Sequence, residues 1–183
     1  DLFQQHLVRL RNPLVYMDIA LGPKSRPQRV VFQLFSQDCP KTCENFRMLC
    51  TGEKSKSPNG YRLTYKNSPF HRVVRDGWVQ GGDIVSGAGD GGVSAYGAEF
   101  GDENFSVKLD EAGVLAMASD GPHTNSSQFL VTLMPQSWLN HRVVGFGRVI
   151  TGLNVLRQIS ELETLNQRPV RECKVNNCGE LTP

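Results

Sequence analysis

Residues 70–83 read FHRVVRDGWVQGGD, and this stretch decides how the rest of the chain is interpreted. Its valines and aromatic residues are typical of a β-strand. It also carries a His-Arg pair, a Gly-Trp pair and a glutamine, Gln80. These residues leave three interpretations open: a working site, an altered site, or the ordinary polar residues of a strand.

The composition is that of an ordinary soluble protein. The 183 residues fit one globular domain, with 39% hydrophobic and 21% charged residues and a formal net charge of +2. No apolar run approaches the ~20 residues that span a bilayer, and no block of like charge stands out. We therefore expect neither a nucleic-acid partner nor a membrane partner.

The five cysteines are odd in number and have no metal-like spacing. Cys39, Cys43 and Cys50 fall near one face of one predicted helix, so two of them could meet. Cys173 and Cys178 have no histidine or cysteine neighbours that would complete a zinc site. The favoured interpretation is small buried hydrophobic side chains in a reducing compartment, the cytoplasm, with no metal and no cofactor.

The apolar patterns along the chain predict many short strands and two helices. One helix is expected at DCPKTCENFRMLCTG, where Pro40 suits the first turn and Gly52 suits a left-handed C-terminal cap. The second is expected at TGLNVLRQISEL, which has apolar residues at helical spacing. Strands are expected at LVYMDIALG, RVVFQLF, GVLAMA, QFLVTL, RVVGFGRV and near ECKVNNC. Without alternation of strands and helices, this order predicts a mainly β fold, a closed antiparallel barrel capped by two helices.

The chain is expected to consist of an N-terminal extension, residues 1–11, and a single domain, residues 12–183. The extension has Phe3, Leu7 and Leu10 at helical spacing. A short docked helix and a frayed tail both remain open for it.

The run GAGDGG at residues 87–92 matches G-x-G-x-x-G, the dinucleotide-binding pattern, and Glu111 follows about 20 positions later. That pattern binds a dinucleotide only at a strand-to-helix turn of a βαβ unit. The following VSAYGAEFGDENF has no helical apolar period. We therefore predict a glycine-rich loop and no nucleotide site.

With its motifs in order, the sequence resembles the cyclophilins, the peptidyl-prolyl cis-trans isomerases that bind cyclosporin. The matching motifs are NPLVYMDIAL, CPKTCENFRMLCTGEK, FHRVV, QGGD, DENF, GVLAMA, TNSSQF, WLNHRVVGFGRV and CGEL. In particular, the sequence resembles the divergent peptidyl-prolyl isomerase-like members, which share the Gly-Trp pair. The resemblance implies an eight-stranded closed antiparallel barrel with two helices, and a single cyclophilin-like domain over residues 12–183.

The chemistry of this family needs no cofactor. Rotation about an X-Pro bond faces a barrier of ~18–20 kcal/mol, and a fixed cation that donates a hydrogen bond to the twisted proline nitrogen lowers it. The resemblance implies that Arg72 is this catalytic cation and that Gln80 helps to orient it. It also implies a set of residues that bind substrate: His71, Trp78, Ser119, Gln128, Leu130, Trp138 and Leu139.

Several positions depart from the family pattern. Active members have a phenylalanine where this chain has Gly77, a methionine at Trp78, a second phenylalanine at Leu130 and a histidine at Val143. Ser119-Asp120 replaces an Ala/Asn-Ala pair and adds a negative charge. Losing two aromatic walls and a rim donor would remove on the order of 2–5 kcal/mol of binding, roughly 30- to 3000-fold.

These departures favour a weak or inactive peptidyl-prolyl isomerase that binds a proline-containing protein segment or serves as a scaffold in a larger protein assembly. The alternative is a slow but genuine isomerase that uses Arg72 to stabilise the twisted X-Pro amide. Either interpretation implies weak cyclosporin binding at best, because the drug would use the same apolar floor. A redox or metal role for the cysteines is a third, less favoured hypothesis.

Overall fold

The computed structural model describes residues 12–182, so the predicted extension at residues 1–11 lies outside the described residues. Two α-helices are present there, α1 (Pro40–Thr51) and α2 (Leu153–Glu161), with a 3-10 helix at Ser137–Leu139. The strands in chain order are β1 (Leu14–Ala20), β2 (Gln28–Leu34), β3 (Arg72–Val74), β4 (Trp78–Gly81), β5 (Val114–Met117), β6 (Phe129–Thr132), β7 (Gly145–Thr151), β8 (Thr164–Leu165), β9 (Arg168–Pro169) and β10 (Lys174–Leu181). The mainly β prediction with two helices is confirmed.

Eight of the strands form one antiparallel sheet in the order β10-β1-β2-β7-β5-β6-β4-β3, and β8 pairs with β9 in a separate hairpin. The edge strands β3 and β10 do not pair with each other as strands, so the predicted closed barrel is wrong and the sheet is an open, curled half-barrel. Residues 67–70 approach β10 instead, through a bridge from Pro69 to Lys174 and a hydrogen bond from the Phe70 N–H to the Cys173 carbonyl, 2.9 Å long. The physical reason is that β3 has only three residues and is preceded by Pro69, which has no N–H to donate to a ladder.

Helix α1 begins and ends where its sequence predicts. Pro40 occupies the first turn, and Gly52 has a φ of 71° and donates its N–H to the Met48 carbonyl. Its buried face inserts Phe46 into the core at ring-centroid distances of 5.1–5.8 Å from four other aromatic rings, Phe32, Tyr65, Phe129 and Phe146. Burial of one such ring stabilises the fold by about 1.5–3 kcal/mol.

Strand alternation divides the buried residues into two clusters. In β4 and β6, Val79, Phe129 and Val131 face the main core. Trp78 of β4 and Leu130 of β6 face the opposite side and belong to a second, smaller cluster. The outer face of these strands is therefore apolar as well, and it forms the floor of the site described below.

All five cysteines are free thiols. Four of them are at most 1% exposed, and Cys178 is half-buried. Burial raises the pKa of Cys39 to about 12 and that of Cys173 to about 11, and it also raises the pKa of Cys50. Because the thiolate is the reactive form, these side chains act as small hydrophobic groups at neutral pH, as expected from the sequence.

Between residues 12 and 182, neither α-helix has the length and apolar character needed to cross a membrane. The same residues contain no group of three or more histidine, cysteine, aspartate or glutamate side chains that could hold a metal ion.

Candidate functional site

One open cleft of about 800 Å³ lies beside strands β3, β4 and β6, and the structure brings all nine predicted site residues to its walls. Strand pairing explains part of this arrangement, since Arg72 of β3 lies directly opposite Gln80 of β4. Gln80 in turn lies opposite Leu130 of β6. The nine lining residues are His71, Arg72, Trp78, Gln80, Ser119, Gln128, Leu130, Trp138 and Leu139.

The floor of the cleft is filled by an indole. Trp78 is only 7% exposed and shares its cluster with Leu130 and Leu139, with Val143 packed against them. Position 78 is the one at which the family has methionine. The indole therefore packs beside Leu130 and Val143, two of the positions that depart from the family pattern.

Gly77 precedes this indole in the turn between β3 and β4. It is not among the residues that line the cleft. A Cβ at this position would lie 3.1 Å from Val74 Cγ1 and 3.3 Å from the Val74 carbonyl oxygen. A larger residue there would require Val74 to give by a few tenths of an ångström.

A chain of hydrogen bonds crosses the cleft from the indole to the glycine-rich loop. Trp78 donates its Nε1–H to Gln80 Oε1 at 3.2 Å, and Gln80 donates from Nε2 to Gln128 Oε1 at 3.1 Å. Gln128 then donates from Nε2 to the carbonyl oxygens of Gly89 and Gly91. Both polar ends of the Gln80 amide are therefore engaged, and neither is hydrogen-bonded to Arg72.

The Arg72 guanidinium lies at the exposed side of the cleft. Its Nε donates to Gln167 Oε1 at 3.0 Å, and its central carbon lies 5.6 Å from the centre of the Trp78 ring. The two terminal nitrogens have no hydrogen-bond partner among residues 12–182. They are therefore the donors that a ligand in the cleft could meet.

Trp138, on the 3-10 helix, is the exposed aromatic of the rim, with 58% of its surface accessible. Its ring centre lies 6.0 Å from that of Trp78. Its indole N–H donates to Gln136 Oε1 at 2.9 Å. A ligand that accepts this N–H must therefore displace the Gln136 amide.

His71 is a buried wall residue, only 7% exposed. Burial lowers the pKa of this histidine, and the attraction of Asp83 opposes the effect only in part. Its Nδ1 has no partner in the described part of the chain. Because a Cβ at Gly89 would lie 2.6 Å from His71 Cδ2, only a glycine fits where the loop covers this ring.

The glycine-rich loop forms the opposite wall and is organised by Asp83. The Asp83 carboxylate accepts the backbone N–H groups of Gly89 and Gly91 and the hydroxyl of Ser86. Burial would raise the pKa of this carboxyl, but these hydrogen bonds together hold it well below its ordinary value. No helix follows the loop, so it lacks the strand-to-helix setting of a dinucleotide site, as the sequence predicts.

Sequence reasoning missed part of the cleft wall. The β8–β9 hairpin contributes four lining residues, Leu165, Asn166, Gln167 and Arg168. Asn166 and Gln167 form its two-residue turn with φ values of 51° and 65°. An asparagine at the first turn position between two short strands is the available signal, since it tolerates positive φ.

The sequence profile of the family described as cyclophilin type peptidyl-prolyl cis-trans isomerase/CLD matches residues 16–180. The chain belongs to the cyclophilin family. This cyclophilin is 46% identical over 180 residues to a human protein named "Probable inactive peptidyl-prolyl cis-trans isomerase-like 6", a match that covers 98% of this chain and 58% of that protein.

Proteins of the same name from Bos taurus and Mus musculus are also similar. The bovine protein is 50% identical over 173 residues, which cover 93% of this chain and 55% of that protein. The mouse protein is 45% identical over 181 residues, which cover 99% of this chain and 58% of that protein. The cyclophilin described above therefore spans less than two thirds of the length of these relatives. The predicted resemblance to divergent isomerase-like members is confirmed.

Proposed function

We propose that this cyclophilin binds a proline-containing protein segment in its cleft and turns the X-Pro bond over weakly or not at all. The observation that carries the proposal is the Trp78 indole, which is 7% exposed and fills the apolar floor. An isomerase must bind the twisted amide more tightly than the planar one, and it does so by holding the proline ring on such an apolar floor. The names of the relatives, which call them probably inactive, support the same conclusion, and the slow-isomerase alternative is not favoured.

Binding is supported by what the cleft still offers. The terminal nitrogens of Arg72 can donate to a carbonyl oxygen of a bound peptide, and the exposed Trp138 ring supplies apolar surface at the rim. Arg72 and Gln80 are thus proposed as the polar site residues. His71, Trp78, Ser119, Gln128, Leu130, Trp138 and Leu139 are proposed as its walls.

We also propose a class of partner, a scaffold role and a cellular compartment. A proline-containing segment of a protein fits an open cleft with one cation and apolar walls, and binding there would suit a scaffold in a larger assembly. The cytoplasm is the proposed compartment, because five free thiols suit reducing conditions. Cyclosporin should bind weakly at best, because Trp78 occupies the apolar floor.

NMR exchange spectroscopy on an Ala-Pro peptide tests the proposal. NMR signals of the purified chain should shift when the peptide is added. The cis-trans exchange rate of the peptide should stay near its uncatalysed value. Arg72→Ala should weaken peptide binding. Arg75→Ala is the matched control, because Arg75 is exposed in the adjacent turn and does not line the cleft.

Catalysed exchange that disappears in Arg72→Ala and persists in Arg75→Ala would establish the slow-isomerase alternative instead. Nanomolar cyclosporin binding would contradict the argument that the floor is occupied. Absence of peptide shifts in the parent chain would remove the cleft as a binding site.

A further inference from the structure

We infer that Gln167, in the turn of the β8–β9 hairpin, positions the Arg72 guanidinium in the cleft. The family pattern gives the orienting role to Gln80, which faces Arg72 across the β3–β4 pair. The structure engages Gln80 elsewhere, through Trp78 and Gln128. The acceptor that Arg72 contacts comes from a hairpin 95 residues further along the chain.

The hairpin is tied to both sides of the cleft, so the acceptor is held at a fixed place. The Gln167 carbonyl accepts the Val73 N–H at 2.6 Å, which joins the turn to β3 beside Arg72. Arg168 donates from Nη1 to the Gly87 carbonyl at 2.8 Å, which joins the hairpin to the glycine-rich loop. A side chain anchored through its own backbone loses little further freedom when its amide makes a hydrogen bond.

The backbone at Gln167 indicates that the side chain matters. Its φ is 65°, in the left-handed region where a two-residue turn of this type favours glycine or asparagine. Glutamine is held there against that preference. Its side-chain oxygen, Oε1, accepts the Arg72 Nε–H, and the side chain of asparagine would be one methylene too short to reach it.

The geometry defines what Gln167 does for Arg72. One hydrogen bond to Nε and the indole face of Trp78, 5.6 Å from the guanidinium carbon, restrain the plane of the guanidinium. The terminal nitrogens stay without partners in the described chain and remain available to a ligand. Gln167 is therefore a positioning residue that acts through Arg72, and its effect on ligand affinity rests on the proposed peptide binding.

The test uses the Arg72 Nε–Hε signal of the ¹⁵N-labelled chain, assigned by its loss in Arg72→Lys. Gln167→Asn suits the positive φ but shortens the side chain, so hydrogen exchange at this N–H should accelerate by about tenfold. Gln167→Glu retains an acceptor of full length and should keep the protection. Gln33→Asn is the matched control, because Gln33 Oε1 accepts the Arg148 Nε–H outside the cleft, and it should change the Arg72 exchange rate by less than about twofold.

Titration with an Ala-Pro peptide forms the second arm. Peptide affinity should fall by about 3- to 10-fold in Gln167→Asn, because the guanidinium donors are no longer held toward the cleft. Unchanged Nε–H exchange in Gln167→Asn would refute the positioning role. If the Arg72 Nε–H exchanges faster in Gln167→Asn but peptide affinity is unchanged, the expected effect of Gln167 on ligand binding is refuted. If the parent chain binds no peptide, the proposed function fails, and the exchange measurement alone decides whether Gln167 positions Arg72.

Discussion

Replacing Trp78 with methionine should open the floor of the cleft, at a measurable cost in stability. The indole is 7% exposed and packs with Leu130 and Leu139 on the outer face of the sheet. Full truncation of a buried tryptophan to alanine costs about 3–5 kcal/mol, and methionine keeps part of that contact. Trp78→Met should therefore lower the free energy of unfolding by about 2 kcal/mol.

The same change should strengthen peptide binding. A proline ring that enters the vacated space would bury two to three CH₂ groups at about 0.8 kcal/mol each. After the cost of ordering the ligand, about 1–2 kcal/mol remains, which is a gain of roughly 5- to 30-fold in affinity. Gln80 Oε1 would also lose its indole donor and become free to meet the peptide.

Urea denaturation and an NMR titration with an Ala-Pro peptide measure the two effects. Trp138→Met is the matched control for stability, since this second indole is 58% exposed and should cost less than about 0.5 kcal/mol. Equal stability losses in the two variants, together with unchanged peptide affinity in Trp78→Met, would refute the conclusion that Trp78 occupies the ligand floor.

Acidification should destabilise the fold through His71, whose folded-state pKa is lowered mainly by burial. The unfolded chain then binds the proton first, so the free energy of unfolding should fall as pH drops below ~6.5, and His71→Gln should reduce that slope in urea titrations. Gly152→Ala should cost more than about 2 kcal/mol, because φ is 92° and the added Cβ would lie 2.5 Å from the Arg29 carbonyl oxygen. Gly60→Ala, with φ at 84° but open space, should cost only about 1–2 kcal/mol in the same assay. Phe46→Ala should lower thermal and urea stability by about 3–5 kcal/mol, and a loss under 1 kcal/mol would contradict its central place in the aromatic core.

The sequence predicted the elements well because their signals are local. Pro40 and Gly52 mark the ends of α1, and both occupy the predicted positions. Period-two alternation places Trp78 and Leu130 on one face, which is why the predicted walls of the cleft come together. These features depend on residues that are close in sequence or on the side-chain period of a strand.

Features that depend on contacts between residues far apart in the chain could not be predicted from the sequence. Barrel closure would require β3 and β10 to pair along their length, and instead only the residues just before the short β3 reach β10, through one bridge and a few backbone hydrogen bonds. The hydrogen bond from Arg72 to Gln167 joins residues 95 positions apart, through a hairpin whose strands have two residues each. Such short strands carry no periodicity, so Asn166 in the turn is a local signal of the hairpin, but no pattern predicts its contact with Arg72.

On the proposed function, the arrangement of the cleft would separate peptide binding from catalysis. The terminal nitrogens of Arg72 can hold a peptide carbonyl whether the X-Pro bond is planar or twisted, and such uniform binding raises affinity without raising the rate. Selective stabilisation of the twisted state requires a proline ring fixed on an apolar floor and polar groups free to follow it. Here Trp78 occupies that floor and ties the Gln80 amide into a chain that ends on the glycine-rich loop. On the proposed function, the guanidinium would retain a ligand, while the part of the site that would distinguish the twisted amide is engaged within the protein itself.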